Sequence, residues 1–160
     1  MDVVVDTDIL STLAKINKMR LLPKLFHKSN MLICPAVAAE IQKGIQLGLL
    51  EFFYPTHFLP IKLGMREKET SMEIADARNV SLGDAECLAV AKNRNCLLLT
   101  NDRKVQKVAE SLSINHLSLP LLLRELWVHH VMTKAEVTQL ADEIESKDRL
   151  VIKNKELIFK

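Results

Sequence analysis

The chain has 160 residues, which suits one compact domain and leaves little for a second. Hydrophobic residues make up 48% and charged residues 26%, an ordinary globular balance that can bury a core. A net charge of +2 is too small to announce a polyanion partner, so any nucleic-acid role has to be argued from a site.

Residues 2–5 (DVVV) form a β-branched run that reads as a buried strand, and Asp6 ends it. Ile9, Leu10, Leu13 and Ile16 then repeat at helical spacing, and a second helical piece spans Met19 to Phe26. MLIC (31–34) is the next strand; Pro35 suits a first helical turn, and Val37, Ile41 and Ile45 mark one face of the helix behind it. Residues 48–64 hold two prolines and a cluster of aromatics, which predicts a bend and a strand near Phe58–Leu63. MREKETSMEIADARN reads as an exposed helix, DAECLAVAKNR as a buried one, CLLL (96–99) as a central strand and NDRKVQKVAESL as an amphipathic helix. Ile114–Leu117 is a last short strand. Strands alternating with helices predict an α/β fold with a parallel sheet covered on both faces.

After Pro120 the pattern changes. PLLLRELWVHH and KAEVTQLADEIES read as consecutive helices, and RLVIKNKELIF as a hairpin turning at Asn154–Lys155. The expected organisation is a domain over 1–128 with an extension, 129–160, packed on it. Leu121, Leu122, Leu123, Leu126, Trp127 and Val128 are more apolar surface than one small sheet covers, which predicts a homodimer. Cys34, Cys87 and Cys96 lie far apart and are odd in number, so neither a zinc site nor a disulfide framework is indicated. The acidic start MDVVVDTDIL is unlike a signal peptide, and no stretch approaches a membrane span; the expected setting is soluble and cytoplasmic.

Four acids stand out, each with an ordinary structural explanation. Asp6 and Asp102 both follow a strand and precede a helix, where Asp is a favoured N-cap. Ser81 to Asp84 has capping-box spacing, and Glu40 lies on a helix where a solvated acid is the default. Their combination carries more. In open parallel sheets ligands bind beyond the carboxyl ends of the strands, near the switch point. Carboxylates gathered there repel unless a cation neutralises them, and oxygen-only donors select hard ions such as Mg²⁺ or Mn²⁺. Such an ion activates water for phosphodiester hydrolysis.

The stretches VVVDTDILSTLAKI, CPAVAAEIQKG and SLGDAECLAVAKNRNCLLLTNDRKVQKVAESLSI resemble, in order and spacing, the PIN-domain superfamily, and within it the short prokaryotic VapC-type toxins. The resemblance covers roughly residues 1–120. It implies a five-strand parallel sheet of order 3-2-1-4-5, with the ends of the first and fourth strands adjacent. It implies a metal-dependent endoribonuclease using Mg²⁺ or Mn²⁺, with Asp6, Glu40, Asp84 and Asp102 as catalytic metal ligands. Thr7, Asp8 and Thr100 would support them, and Arg103, Lys104 and Lys107 are candidates for gripping RNA. A toxin of this branch would have a small antitoxin protein as partner. One departure is Asp8, where the family usually has Ser or Asn.

Two other functions compete. The D-x-D of VVVDTDIL superficially resembles haloacid-dehalogenase-type phosphatases, but Leu10 stands where those enzymes want Thr or Val, and the late acid pair is missing. A PIN-like module that has lost catalysis and only binds is the other, and the presence of all four acids speaks against it. Of the remaining residues, adjacent His129 and His130 diverge by about 100° on a helix and make a poor chelate. Glu86 reads as a solvated neighbour of Asp84.

Overall fold

The computed structural model describes residues 1–51 and 54–160; Phe52 and Phe53, part of the expected bend, lie outside the described residues. Five short strands, β1 (Val3–Val5), β2 (Met31–Ile33), β3 (Phe58–Pro60), β4 (Leu97–Leu99) and β5 (His116–Leu117), form one parallel sheet of order β3-β2-β1-β4-β5. The helices are α1 (Thr7–Lys15), α2 (Leu21–Leu25), α3 (Pro35–Gln46), α4 (Met65–Arg78), α5 (Leu82–Arg94), α6 (Arg103–Ser111), α7 (Leu119–Val128) and α8 (Lys134–Lys147). From β1 the chain steps outward to β2 and β3, then returns past β1 to β4 and β5, so the order reverses between β1 and β4. The expected fold class and strand order are therefore observed.

The strands form where apolar runs are covered on both faces: Val3, Val4 and Val5 are each at most 1% exposed, and Leu98 and Leu99 are fully buried. Pro35 occupies the first turn of α3, where its missing N–H costs nothing. Asn79 and Asn95, left-handed with φ of 51° and 53°, end α4 and α5. α5 lies against β1 and β4, and its Ala85, Cys87, Leu88, Ala89 and Val90 are buried.

The expected C-terminal hairpin is not formed. Residues 148–154 are irregular, and Lys155–Phe159 is a single 3-10 turn introduced by left-handed Asn154. The apolar residues that imitate two strands are instead anchored one by one. Ile152 and Ile158 are buried, Trp127 Nε1 donates to the Ile158 carbonyl at 2.6 Å, and Arg124 Nε donates to the Lys160 carbonyl at 2.9 Å. Glu145 receives the Ile152 N–H and pairs with Lys155. The 3-10 turn and α8 cover α7, whose Leu122, Leu123 and Leu126 are buried within this one chain. The apolar excess of α7, the argument for a second copy, is thus covered in part within the chain, with Leu121, Trp127 and Val128 left half-buried.

Candidate active site

β1 and β4 are neighbours in register, Val5 beside Leu99, and the Asp6 N–H donates to the Leu99 carbonyl at 3.2 Å. The next residues, Asp6 and Thr100, therefore emerge side by side where the strand order reverses. Asp6 is 4% exposed, and its Oδ1 accepts the Ile9 N–H at 2.8 Å, capping α1. Asp102 Oδ1 caps α6, accepting from the Lys104 and Val105 N–H groups at 2.8 and 3.1 Å. The capping explanation is correct for both, and it does not displace the other: one oxygen holds the helix and the second remains. Thr100, fully buried, accepts the Asp102 N–H on its hydroxyl at 3.2 Å and hydrogen-bonds the Asp6 carboxyl. It ties the two acids together.

Asp84 lies in the first turn of α5, whose cap is Ser81 accepting the Asp84 N–H at 3.2 Å. Glu40 arrives from α3. It reaches the group because Gly83 has no side chain: a Cβ there would stand 2.8 Å from Glu40 Oε1. Asp8, in the first turn of α1, lines the cleft beside the same region, and Thr7 next to it is half-buried.

The electrostatics show the convergence. Burial pushes Asp6 from its ordinary 3.8 to about 7, against the Ile9 N–H and Thr100 hydroxyl that lower it, and the charges of Asp8 and Asp84 add to the rise. Asp84 is raised by desolvation and by Asp102, Asp8 and Glu40, with Ser81 opposing. Asp8 is raised by desolvation, then by Asp102, Glu40 and Asp148, with Lys15 opposing. The charges of Glu40 and Asp102 thus reach both Asp8 and Asp84, and those of Asp8 and Asp84 reach Asp6. Among the described residues no three His, Cys, Asp or Glu side chains form a ready-made metal cage. The donor chemistry nevertheless fits a hard divalent ion: all oxygen, with protonation equilibria distorted by uncompensated negative charge.

Glu86 is not a solvated bystander. It is buried, and its Oε2 accepts the Ala36 N–H at 2.8 Å. Cys34, the N-cap of α3, supplies no side-chain bond, so Glu86 caps that helix from α5 and fixes the helix bearing Glu40 to the one bearing Asp84. Sequence offers no signal for a cap supplied 50 residues away.

A cleft of about 760 Å³ adjoins the acids. Asp8 and Asp102 line it, as do Arg103, Lys104 and His116, and the segment after α8 adds a wall of Asp148, Arg149, Leu150, Val151, Lys153 and Asn154. Lys107, exposed on α6, does not line it. The wall is fixed to α1, because Asp148 accepts from Thr12 and Lys15, both at 2.6 Å. No described helix is long and apolar enough to cross a membrane.

Among solved structures the chain is similar to VapBC2 from Rickettsia felis, solved bound to a DNA fragment from their promoter, at 16% identity and a TM-score of 0.51 over 74% of this chain and 98% of that one. It is also similar to PAE2754 from Pyrobaculum aerophilum, at 19% identity and a TM-score of 0.51 over 78% of this chain and 96% of that one. At these identities the likeness shows the fold alone. No curated protein matches. The profile of the family described as DUF3368, PIN domain, matches residues 2–156, running through the boundary expected at 128/129 and taking in the wall of the cleft. With five parallel strands in PIN order, acids gathered at the switch point and a profile spanning nearly the whole chain, this protein belongs to the PIN domain family.

Proposed function

We propose that this chain is a divalent-metal-dependent endoribonuclease that hydrolyses RNA phosphodiester bonds. The observation that carries the reading is the gathering of acids beyond the β1/β4 switch point: Asp6 and Asp102 joined through Thr100, and Glu40 lying against Gly83 beside Asp84, with the charges of neighbouring acids raising Asp6, Asp8 and Asp84. Asp6, Glu40, Asp84 and Asp102 would hold the ion, and Mg²⁺ or Mn²⁺ bound there supplies charge neutralisation and an activated water. Thr100 orients Asp6 through its hydroxyl, and Gly83 leaves the space through which Glu40 approaches. Asp8 adds charge at the mouth, where the cleft begins. Single-stranded RNA incubated with Mg²⁺ or Mn²⁺ should be cut, and EDTA should abolish cutting. Full cleavage in EDTA would end the metal-nuclease reading, and turnover of a phosphomonoester without RNA cleavage would favour a phosphatase.

The biological role we assign is toxin of a toxin–antitoxin pair, acting in the cytoplasm as a homodimer with a small antitoxin partner. Its support is the VapC-like motif pattern and the structural likeness to VapBC2. Induced expression of the wild-type chain should arrest growth while Asp84→Asn does not; growth unaffected by an active enzyme would point to RNA processing.

A further inference from the structure

The cleft is chemically lopsided beyond its acidic end. Of the cations lining it, Lys15 is engaged by Asp148, and Lys104 Nζ donates to the Asn79 carbonyl at 2.6 Å. Arg103, Arg149 and Lys153 also line it, all exposed, and none has a hydrogen-bond or ion-pair partner among the described residues. Two of these three come from the segment after α8, and Asp148 fixes the start of that segment to α1. A held wall carrying unpaired cations beside a carboxylate cluster is arranged for an extended anion that reaches from one to the other.

We propose that Arg149 and Lys153, with Arg103 of the same cleft, form a subsite for the phosphodiester backbone of a single nucleic-acid strand, gripping the nucleotides beside the phosphate that is cut. This rests on the nuclease reading and deepens it. The volume is within the ~300–1,000 Å³ of ligand pockets and larger than one phosphate needs. Among the described residues the lining holds no Trp, Tyr or Phe, so the grip falls on phosphates, which guanidinium and ammonium groups match, and not on stacked bases. Continuity with the acids, where the reaction acts on a phosphodiester, selects a nucleic-acid strand over an acidic peptide.

The test pairs Arg149→Gln/Lys153→Gln with Lys43→Gln/Lys68→Gln, which removes the same charge away from the cleft. Anisotropy of a labelled 12-nucleotide RNA in Ca²⁺ should show about 10-fold weaker binding for the first pair only, with the log–log salt slope shallower by about 1.4. In Mg²⁺ the same variant should raise KM several-fold with kcat within a factor of two, and a dinucleotide substrate should be cut as by wild type. Equal losses in both pairs, or an unchanged salt slope in the first, would overturn the subsite. So would tighter binding of a polyglutamate 12-mer than of RNA; a DNA 12-mer bound as well as RNA would support a backbone grip. Wild-type protein that binds RNA with the predicted slope but never cuts it would keep the subsite and remove the nuclease reading. Normal cutting with unchanged KM in the variant would do the reverse.

Discussion

Asp6→Asn separates the cost of the buried charge from the cap that the same side chain provides. Asp6 has its pKa lifted from 3.8 to about 7. A raised acid binds its proton more tightly in the folded state, so stability falls as pH rises from about 4 to 7, and the whole cost is present above 7. The 3.2-unit difference corresponds to about 4 kcal/mol above pH 7, of which about 2.5 kcal/mol develops between pH 5 and 8. Asn caps helices as well as Asp, so the bond to the Ile9 N–H survives while the charge goes. Losing a negative charge at the α1 N-terminus returns about 0.5–1 kcal/mol, which leaves an expected gain of about 3 kcal/mol at pH 8. Urea unfolding in EDTA at pH 5 and 8 measures this, provided the slope against urea stays constant. Wild type should lose stability across that interval and Asp6→Asn should lose much less. Added Mg²⁺ should recover wild type at pH 8 and leave the variant nearly unmoved. Wild-type stability flat from pH 5 to 8, with no gain in the variant, would refute the account of Asp6.

Gly83→Ala adds the Cβ that meets the end of Glu40, a flexible side chain that swings aside at little cost to folding. Thermal stability should hold or rise by a few tenths of a kcal/mol, up to ~1, while RNA cleavage drops at least ~10-fold; unchanged cleavage would exclude Glu40 from the site. Asp84→Asn and Asp102→Asn should each slow cleavage by at least ~10²-fold without unfolding the chain, checked by single-turnover kinetics beside circular dichroism. Glu86→Ala leaves the half-buried Ala36 N–H unmet and should cost about 1–2 kcal/mol, whereas Glu86→Gln keeps an acceptor and most of the stability. Light scattering should give twice the 18.1 kDa chain mass; an 18 kDa species at high micromolar concentration would remove the homodimer.

The sheet was legible because its strands are short apolar runs that nothing else explains: VVV, MLI and LLL are covered on both faces and look it. Their order came from the resemblance, since no periodicity tells β1 to sit between β2 and β4. The four acids were legible as a set and ambiguous singly, and the ambiguity was real, because Asp6 and Asp102 do cap helices. What stayed hidden is what depends on distant partners. Val151, Ile152, Leu157, Ile158 and Phe159 look like paired strands until Trp127, Arg124 and Glu145 are seen to take their backbone. Thr12 meets Asp148 across 136 residues, so neither the wall of the cleft nor its cations could be read locally.

Because no strand among the described residues exceeds three residues, one central row of backbone, Leu59, Leu32, Val4, Leu98 and His116, crosses the sheet with a single residue to spare at most on either side. Such a sheet has no room to fray in stages. Its slowest-exchanging amides should cluster on that row and open only with the entire molecule. Asp6 stands two residues beyond Val4, so the repulsion stored among the carboxylates presses directly on the last part to unfold. A cation bound there would slow exchange at Val4 and Leu98 as much as in the neighbouring loops, and the protein's global persistence would become a readout of metal supply.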